Sequence, residues 1–268
     1  MTPSSSTLPA PRTSDLALAA WQVVYDQREF WRNRVRAFFT FGLPLTFMVL
    51  FASLNSGGHV ASRGGISYNA VFIPGILAYG LMMAVFANLA FNIARMRDEG
   101  VLKRVQGTPL PTWVFLAGRV GSAAVVGLTI TVLALGLGAI AYDVPVPAGR
   151  LLGLAVAVLM GIACLTTLGI GVVRFIRNAE TAPPIVNLLL LPLTFISGVW
   201  GPVDGEPAIL HHIAEVFPLE HLAAWLQLCY DPRTTGLAFD GTQFAVLAVW
   251  TIAGVRMTQR FLRATMRV

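Results

Sequence analysis

The side chains best suited to chemistry lie in a few short stretches of the chain. His211, His212, Glu215 and His221 are metal-ligand types, and His211 and Glu215, four apart, would share a helix face. The H-E-x-x-H pattern of a zinc site is missing, so no metal is expected. Ser197-Gly198 offers a hydroxyl, but Phe195 stands where a G-x-S-x-G elbow needs glycine. Cys164 and Cys229 lack metal or redox spacing, and Cys164 sits in an apolar run as a small hydrophobe would. A nucleotide pocket needs G-x-x-x-x-G-K-[ST], with its lysine reaching the phosphates. Lys103 is the sole lysine, is followed by Arg104, and lacks that glycine pattern. No catalytic residue and no bound cofactor are therefore expected on this chain. Asn88 and Asn92 would face one way on a helix, either lining a path or hydrogen-bonding a neighbouring helix.

The elements that would carry these residues follow from composition. The chain has 268 residues, 56% hydrophobic and 12% charged, against about 25% charged in soluble domains. Its net charge of +6 is almost all arginine. Such a balance suits nucleic acid or an anionic membrane surface. The long uncharged runs favour the bilayer as partner and argue against nucleic acid. Six apolar segments stand out, at Ala37–Leu54, Ala70–Ala94, Val114–Tyr142, Leu151–Val173, Ile185–Trp200 and Thr242–Val255. A crossing helix needs about 20 such residues, so the fifth and sixth must borrow from their flanks. Gly153, Ala157 and Gly161 form a small-residue strip that permits close helix approach.

Residues 1–14 are rich in Ser, Thr and Pro and read as a disordered tail. Residues 15–36 alternate an apolar stripe with polar positions. They suit an amphipathic helix in the membrane interface, with a soluble helix as the alternative. Residues 37–268 hold the six segments. Positive residues alternate sides with each crossing. Arg28, Arg32, Arg34 and Arg36 precede the first segment; Arg95, Arg97, Lys103 and Arg104 follow the second. Arg174 and Arg177 follow the fourth, and Arg256, Arg260, Arg263 and Arg267 follow the sixth. The intervening loops carry only Arg63, Arg150 and Arg233. This pattern predicts both termini in the cytoplasm.

Apart from Arg119 at the head of the third, none of the six segments holds a Lys, Arg, Asp, Glu or His. Ion-coupled transporters usually place such groups within their spans. Uphill movement by this chain would need another energy source, supplied on another polypeptide. The candidate dock is the loop Arg95–Arg119, where Asp98 or Glu99 with Lys103 would support a short helix ending near Gly107 and Pro109. A solvated basic loop is the alternative.

Glu99-Gly100, Lys103-Arg104 and Pro109-Leu110 resemble the E-G-x-x-[KR]-R-x-x-x-x-P-L stretch of ABC-2 type permeases, and Gly118-Arg119 resembles the next part of that pattern. The likeness extends in layout over most of the chain. It implies an all-α membrane protein of six transmembrane helices, with an N-terminal interfacial helix and a short re-entrant helical segment, Gly205–Gln227, before the last span. A hairpin resting on the membrane is the alternative for that segment. The resemblance further implies a bacterial plasma-membrane permease, paired with a second identical or related permease and with a P-loop ATPase that carries ATP and Mg. Contact with the ATPase would fall to Glu29, Arg97, Asp98, Glu99, Lys103, Arg104 and Pro109. The first, second and fifth spans would line the path, with Phe39, Phe47, Asn88, Asn92, Asn187, Phe195 and Ser197 on it. A hydrophobic or amphipathic cargo would move outward. A membrane scaffold or a membrane-embedded enzyme are the rival readings.

Overall fold

The computed structural model describes residues 14–60, 64–108, 110–201 and 208–266. Helix α1 (Asp15–Arg32) opens where the Ser14 hydroxyl accepts the Ala17 amide at 3.3 Å. Asp15 in its first turn and Arg32 in its last both suit the helix dipole. The helix expected over 15–36 is in fact two. Asn33 leaves the helical range at ψ 86° and its side chain accepts the Arg36 amide, so a second helix begins there. Of the tail expected at 1–14, only Ser14 falls within the described residues.

The new helix is α2 (Arg34–Leu54), which contains a π turn over Phe38–Gly42 just before Pro44. Proline brings no N–H to the helical ladder, which favours irregular hydrogen bonding beside it. A two-stranded hairpin, β1 (His59–Val60) and β2 (Ile66–Ser67), leads to α3 (Tyr68–Asp98). Helix α3 is apolar around its first turns and is the centre of the bundle, with Phe72, Ile73, Leu77 and Leu81 fully buried. It too contains a π turn, Met82–Ala87. Gly100 at φ +70°, a conformation that favours glycine, then turns the chain into the short α4 (Val101–Gln106).

Helices α5 (Thr112–Ala141), α6 (Leu151–Val172), α7 (Ala182–Ile196), α8 (Ala208–Ala214), α9 (Pro218–Tyr230) and α10 (Gly241–Met266) complete the chain. Among the described residues, four helical stretches are long and apolar enough to cross a membrane: Arg34–Leu54, Tyr68–Asp98, Trp113–Ala141 and Ala148–Phe175. Helix α7 is apolar but has 15 residues, a length of roughly 22 Å against a hydrocarbon core of about 30 Å. The fifth apolar segment was expected to continue to Trp200. It stops at Ile196 because Gly198, at φ +60°, turns the chain after Ser197. Helix α10 has 26 residues, with Arg256, Arg260 and Arg263 in its C-terminal part.

Small residues set the closest approaches. Helices α6 and α10 lie side by side and run the same way, with Gly254 against Thr167 and Gly171 against Met257. Thr258 donates to the Thr167 carbonyl at 3.0 Å. The strip on α6 serves α9 and the loop after it, since Gly153 faces the Leu237 carbonyl and Gly161 faces Leu222. Helix α9 lies between α3 and α6 and buries Leu219, Leu222, Trp225 and Leu226. Arg150 donates to the Cys229 carbonyl at 2.9 Å, fixing the far end of α9 beside the start of α6.

Candidate functional site

Charged side chains gather at one end of the bundle, where α1 meets the ends of α2, α3 and α5. The face of α1 turned to α5 carries Gln22, Val23, Asp26, Gln27 and Phe30. Gln22 and Val23 lie over Gly118 and Gly121, while Gln27 donates to the Ser122 hydroxyl at 2.8 Å and to its carbonyl at 3.0 Å. The inward face is thus mixed, and apolar Leu16, Trp21 and Trp31 point outward. Asp26 and Arg119 are 4% and 5% exposed and meet at 3.3 Å. Burial pushes the Asp26 carboxyl above its usual range, against the pull of the Arg119 guanidinium and the Gln22 amide.

Arg36 is the hub between α2 and α3. Its Nε donates to Asn88 Oδ1 at 2.7 Å, and its two terminal nitrogens reach the Asn92 side-chain oxygen at 2.8 and 2.9 Å. Asn88 and Asn92, four apart, therefore share one guanidinium. Phe30 lies beneath that guanidinium at 5.2 Å. Glu29 accepts from Arg95 at 2.7 Å and stands 4.0 Å from Arg36.

Arg97 and Asp98, the residues expected to meet a partner subunit, also make contacts inside the chain, and Asp98 remains exposed. Arg97 donates to the carbonyls of Val173, Ile176 and Arg177 at 2.8–3.1 Å. They lie just past the end of α6, where carbonyls run short of helical partners, and the Val173 carbonyl also accepts the Ile176 amide at 3.1 Å. Asp98 binds Arg97 and accepts the Ala179 amide. The dipeptide thus joins the ends of α3 and α6 to the segment that leads into α7. Glu99, Lys103 and Arg104 remain exposed around the Gly100 turn, with Arg104 donating to the Glu99 carbonyl at 2.9 Å. Pro109 lies outside the described residues.

The residues expected along a path fall into separate places. Phe39, Asn88 and Asn92 line one cavity of about 290 Å³ with Arg36. Phe47 and Phe195 meet instead at Trp200, at 5.5 and 5.8 Å between ring centroids. Ser197 is buried nearby in sequence, its hydroxyl without a hydrogen-bond partner among the described residues. Asn187 is exposed on α7 and does not line the Arg36 cavity. Trp200 was not singled out from sequence, where it only closed an apolar run. Arg36 was counted only as a marker of sidedness.

Apart from Arg119 near the start of α5, the six apolar segments carry no Lys, Arg, Asp, Glu or His, but α9 does, and it lies among them. His221 contacts the Glu215 carbonyl at 2.7 Å and the Gln243 side chain, and Glu220 beside it is half-buried. The energy argument from missing charges within the segments therefore does not extend to the whole bundle, which holds Arg119 at one end and His221 and Glu220 on α9. Among the described residues no three His, Cys, Asp or Glu side chains gather as a metal site. The side chain of His211 is not among those described.

Comparison with known proteins adds relatives. The profile of the family described as ABC-2 type transporter matches residues 21–228. "Putative transport permease YvfS" of Bacillus subtilis is 23% identical over 76% of this chain and 82% of its own length. "Probable multidrug ABC transporter permease YbhR" of Escherichia coli is 24% identical over 58% of this chain, a match that covers 42% of that protein. "Inner membrane transport permease YadH" of the same species is 21% identical over 66% of this chain and 68% of its own length.

Proposed function

The chain belongs to the ABC-2 type transporter family, and from that membership we propose that it is the membrane subunit of an exporter driven by a separate ATP-hydrolysing subunit. The observation that carries this reading is the geometry around Gly100. Arg97 and Asp98 tie three helix ends into one junction, and an exposed charged elbow, Glu99 to Arg104, projects from it. A push on the elbow would reach α3, α6 and α7 together. Glu99, Lys103 and Arg104 are the contact residues in this reading, with Pro109 beyond them. Arg97, Asp98 and Glu29 transmit the load through their contacts within the chain.

Six crossings, with α7 and α10 as the fifth and sixth, place every strongly basic segment on the cytoplasmic side. The α8–α9 segment then reaches inward from the outer side. In support, Trp250, well inside α10, donates to the Val216 carbonyl at 2.9 Å, and Leu222 meets Gly161 near the middle of α6. A second permease, identical or related, would complete the path. Phe39, Phe47, Asn88, Asn92, Asn187, Phe195 and Ser197 are its lining, and the cargo is hydrophobic or amphipathic. Efflux of drug-like compounds is one form of this activity, in keeping with the multidrug wording in one relative's name.

The test is co-purification with a P-loop ATPase encoded beside this gene. Glu99→Arg combined with Arg104→Glu should abolish co-purification while membrane insertion is retained. Unchanged co-purification would remove the docking assignment.

A further inference from the structure

The π turns of α2 and α3 face each other and enclose the cavity of about 290 Å³. Phe39 and Thr40 come from one turn, Met83 and Ala87 from the other. A π turn carries an extra residue and is often found at functional sites. The cavity has a polar floor and apolar walls. Arg36, Arg95, Asn88 and Asn92 form the floor; Phe39, Met83 and Phe91 belong to the walls. Phe39 at the mouth is 57% exposed, so in a bilayer the cavity would open sideways onto lipid.

The floor is prepared for an anion. A guanidinium has five N–H donors in a rigid fork. Asn88 and Asn92 occupy three of those on Arg36 and hold the fork in place, which leaves two. A wider cleft adjoins the cavity and shares Arg36 and Arg95 with it. Arg28, Arg32 and Arg34 line that cleft; its one carboxylate, Glu29, holds Arg95 at 2.7 Å and Glu99 stands 4.0 Å from Arg95, so arginines still outnumber carboxylates around the floor and Arg95 offers a phosphate its remaining donors.

We infer that this cavity binds the phosphoryl headgroup of an anionic amphiphile, with Arg36 and Arg95 on the phosphate and the acyl chain leaving past Phe39 and Met83. The arginine fork matches phosphate oxygens in pairs. The volume is near the lower bound of small-molecule sites, roughly 300 Å³, so it accepts a headgroup and leaves the chains in the bilayer. Two sources share this chemistry, a resident anionic lipid and a phosphorylated cargo. Only the cargo source rests on the transport reading; binding requires only that the chain sit in a membrane.

The purified full-length chain, released from micelles with lipid bound, is assayed by native mass spectrometry. Phosphatidylglycerol should be retained and phosphatidylcholine of the same chains should not. Arg36→Gln and Arg95→Gln should each lower retention about tenfold, the effect of one lost charge-assisted hydrogen bond. Arg174→Gln, which removes a charge outside the cavity, should change nothing. Equal retention of both lipids overturns the site. So does indifference to Arg95→Gln, or an equal loss with Arg174→Gln. Arg36→Gln risks misfolding because it releases Asn88 and Asn92, so Met83→Trp, which fills the cavity from its apolar wall, serves as a second variant and should also lower retention. Reconstitution with the ATPase then separates the sources. ATP-dependent release of labelled phosphatidylglycerol marks cargo, retention through turnover marks a resident lipid, and either supports the site. Failure of ATP to act at all bears on the transport reading alone.

Discussion

Asp26 and Arg119 show how a buried charge pair can be needed and costly at once. Taking both charges out of water costs more than their attraction returns, which is why burial raises the Asp26 carboxyl despite its partner. Removing one charge is worse, because the other stays buried alone. Asp26→Ala should cost about 3–5 kcal/mol, read as a lower melting temperature of the purified chain in detergent. Asp26→Leu with Arg119→Met should recover most of that loss; additive single and double changes would show the two to be uncoupled. The pH dependence has a definite sign. The folded value lies above the usual 3.8, so over that interval the folded chain holds a proton that the unfolded chain has released. The contribution of Asp26 to stability is therefore lost as pH rises through the raised value. A melting series should show wild type falling relative to Asp26→Asn over that range, and an opposite trend would contradict the burial argument.

The docking of α1 depends on two glycines of α5. A Cβ at Gly118 would lie 2.2 Å from the Gln22 side chain, and one at Gly121 would lie 2.6 Å from Val23. Gly118→Leu with Gly121→Leu should lift α1 from the bundle, seen as faster protease cleavage within Asp15–Arg32 while the remaining helices stay protected. The Gly118-Arg119 pair was legible in the sequence as part of a family pattern, but its partner on α1 was not. The alternation of apolar and polar positions gave the helix, but not that Asp26, one of the polar positions, is buried while Leu16 and Trp31 stay exposed. Helix limits were more legible. Five of the six apolar segments match their helices to within four residues at each end, since long, nearly uncharged runs define them; the sixth helix runs on to Met266 through Arg256, Arg260 and Arg263. The misses have local causes. Asn33 is tolerated inside helices, so its role as a break rests on one side-chain cap. Val199 and Trp200 are apolar, so composition could not report the turn at Gly198. Arg36 looked like any other positive residue near a membrane, because its two asparagine partners sit 52 and 56 positions away in the chain.

For the whole molecule, sidedness is the property on which the exporter reading stands. Cys164 and Cys229 are both buried and should stay silent to a bulky maleimide. A single cysteine introduced as Glu99→Cys should then be labelled only after cells are opened, and labelling from outside would invert the topology. The paired π turns have a further consequence for the architecture. Each π turn advances the chain by one residue more than an α turn would, which acts as a phase offset in the helical wheel. Deleting one residue from Met82–Ala87 would cancel that offset: the turn could close as an α turn while Asn88, Asn92, Arg95 and Arg97 keep their bearings. The same deletion within a purely α-helical stretch would instead rotate everything beyond it by about 100°. The waist of α3 is thus a place where the chain can lose a residue without turning its polar lower half away from its partners.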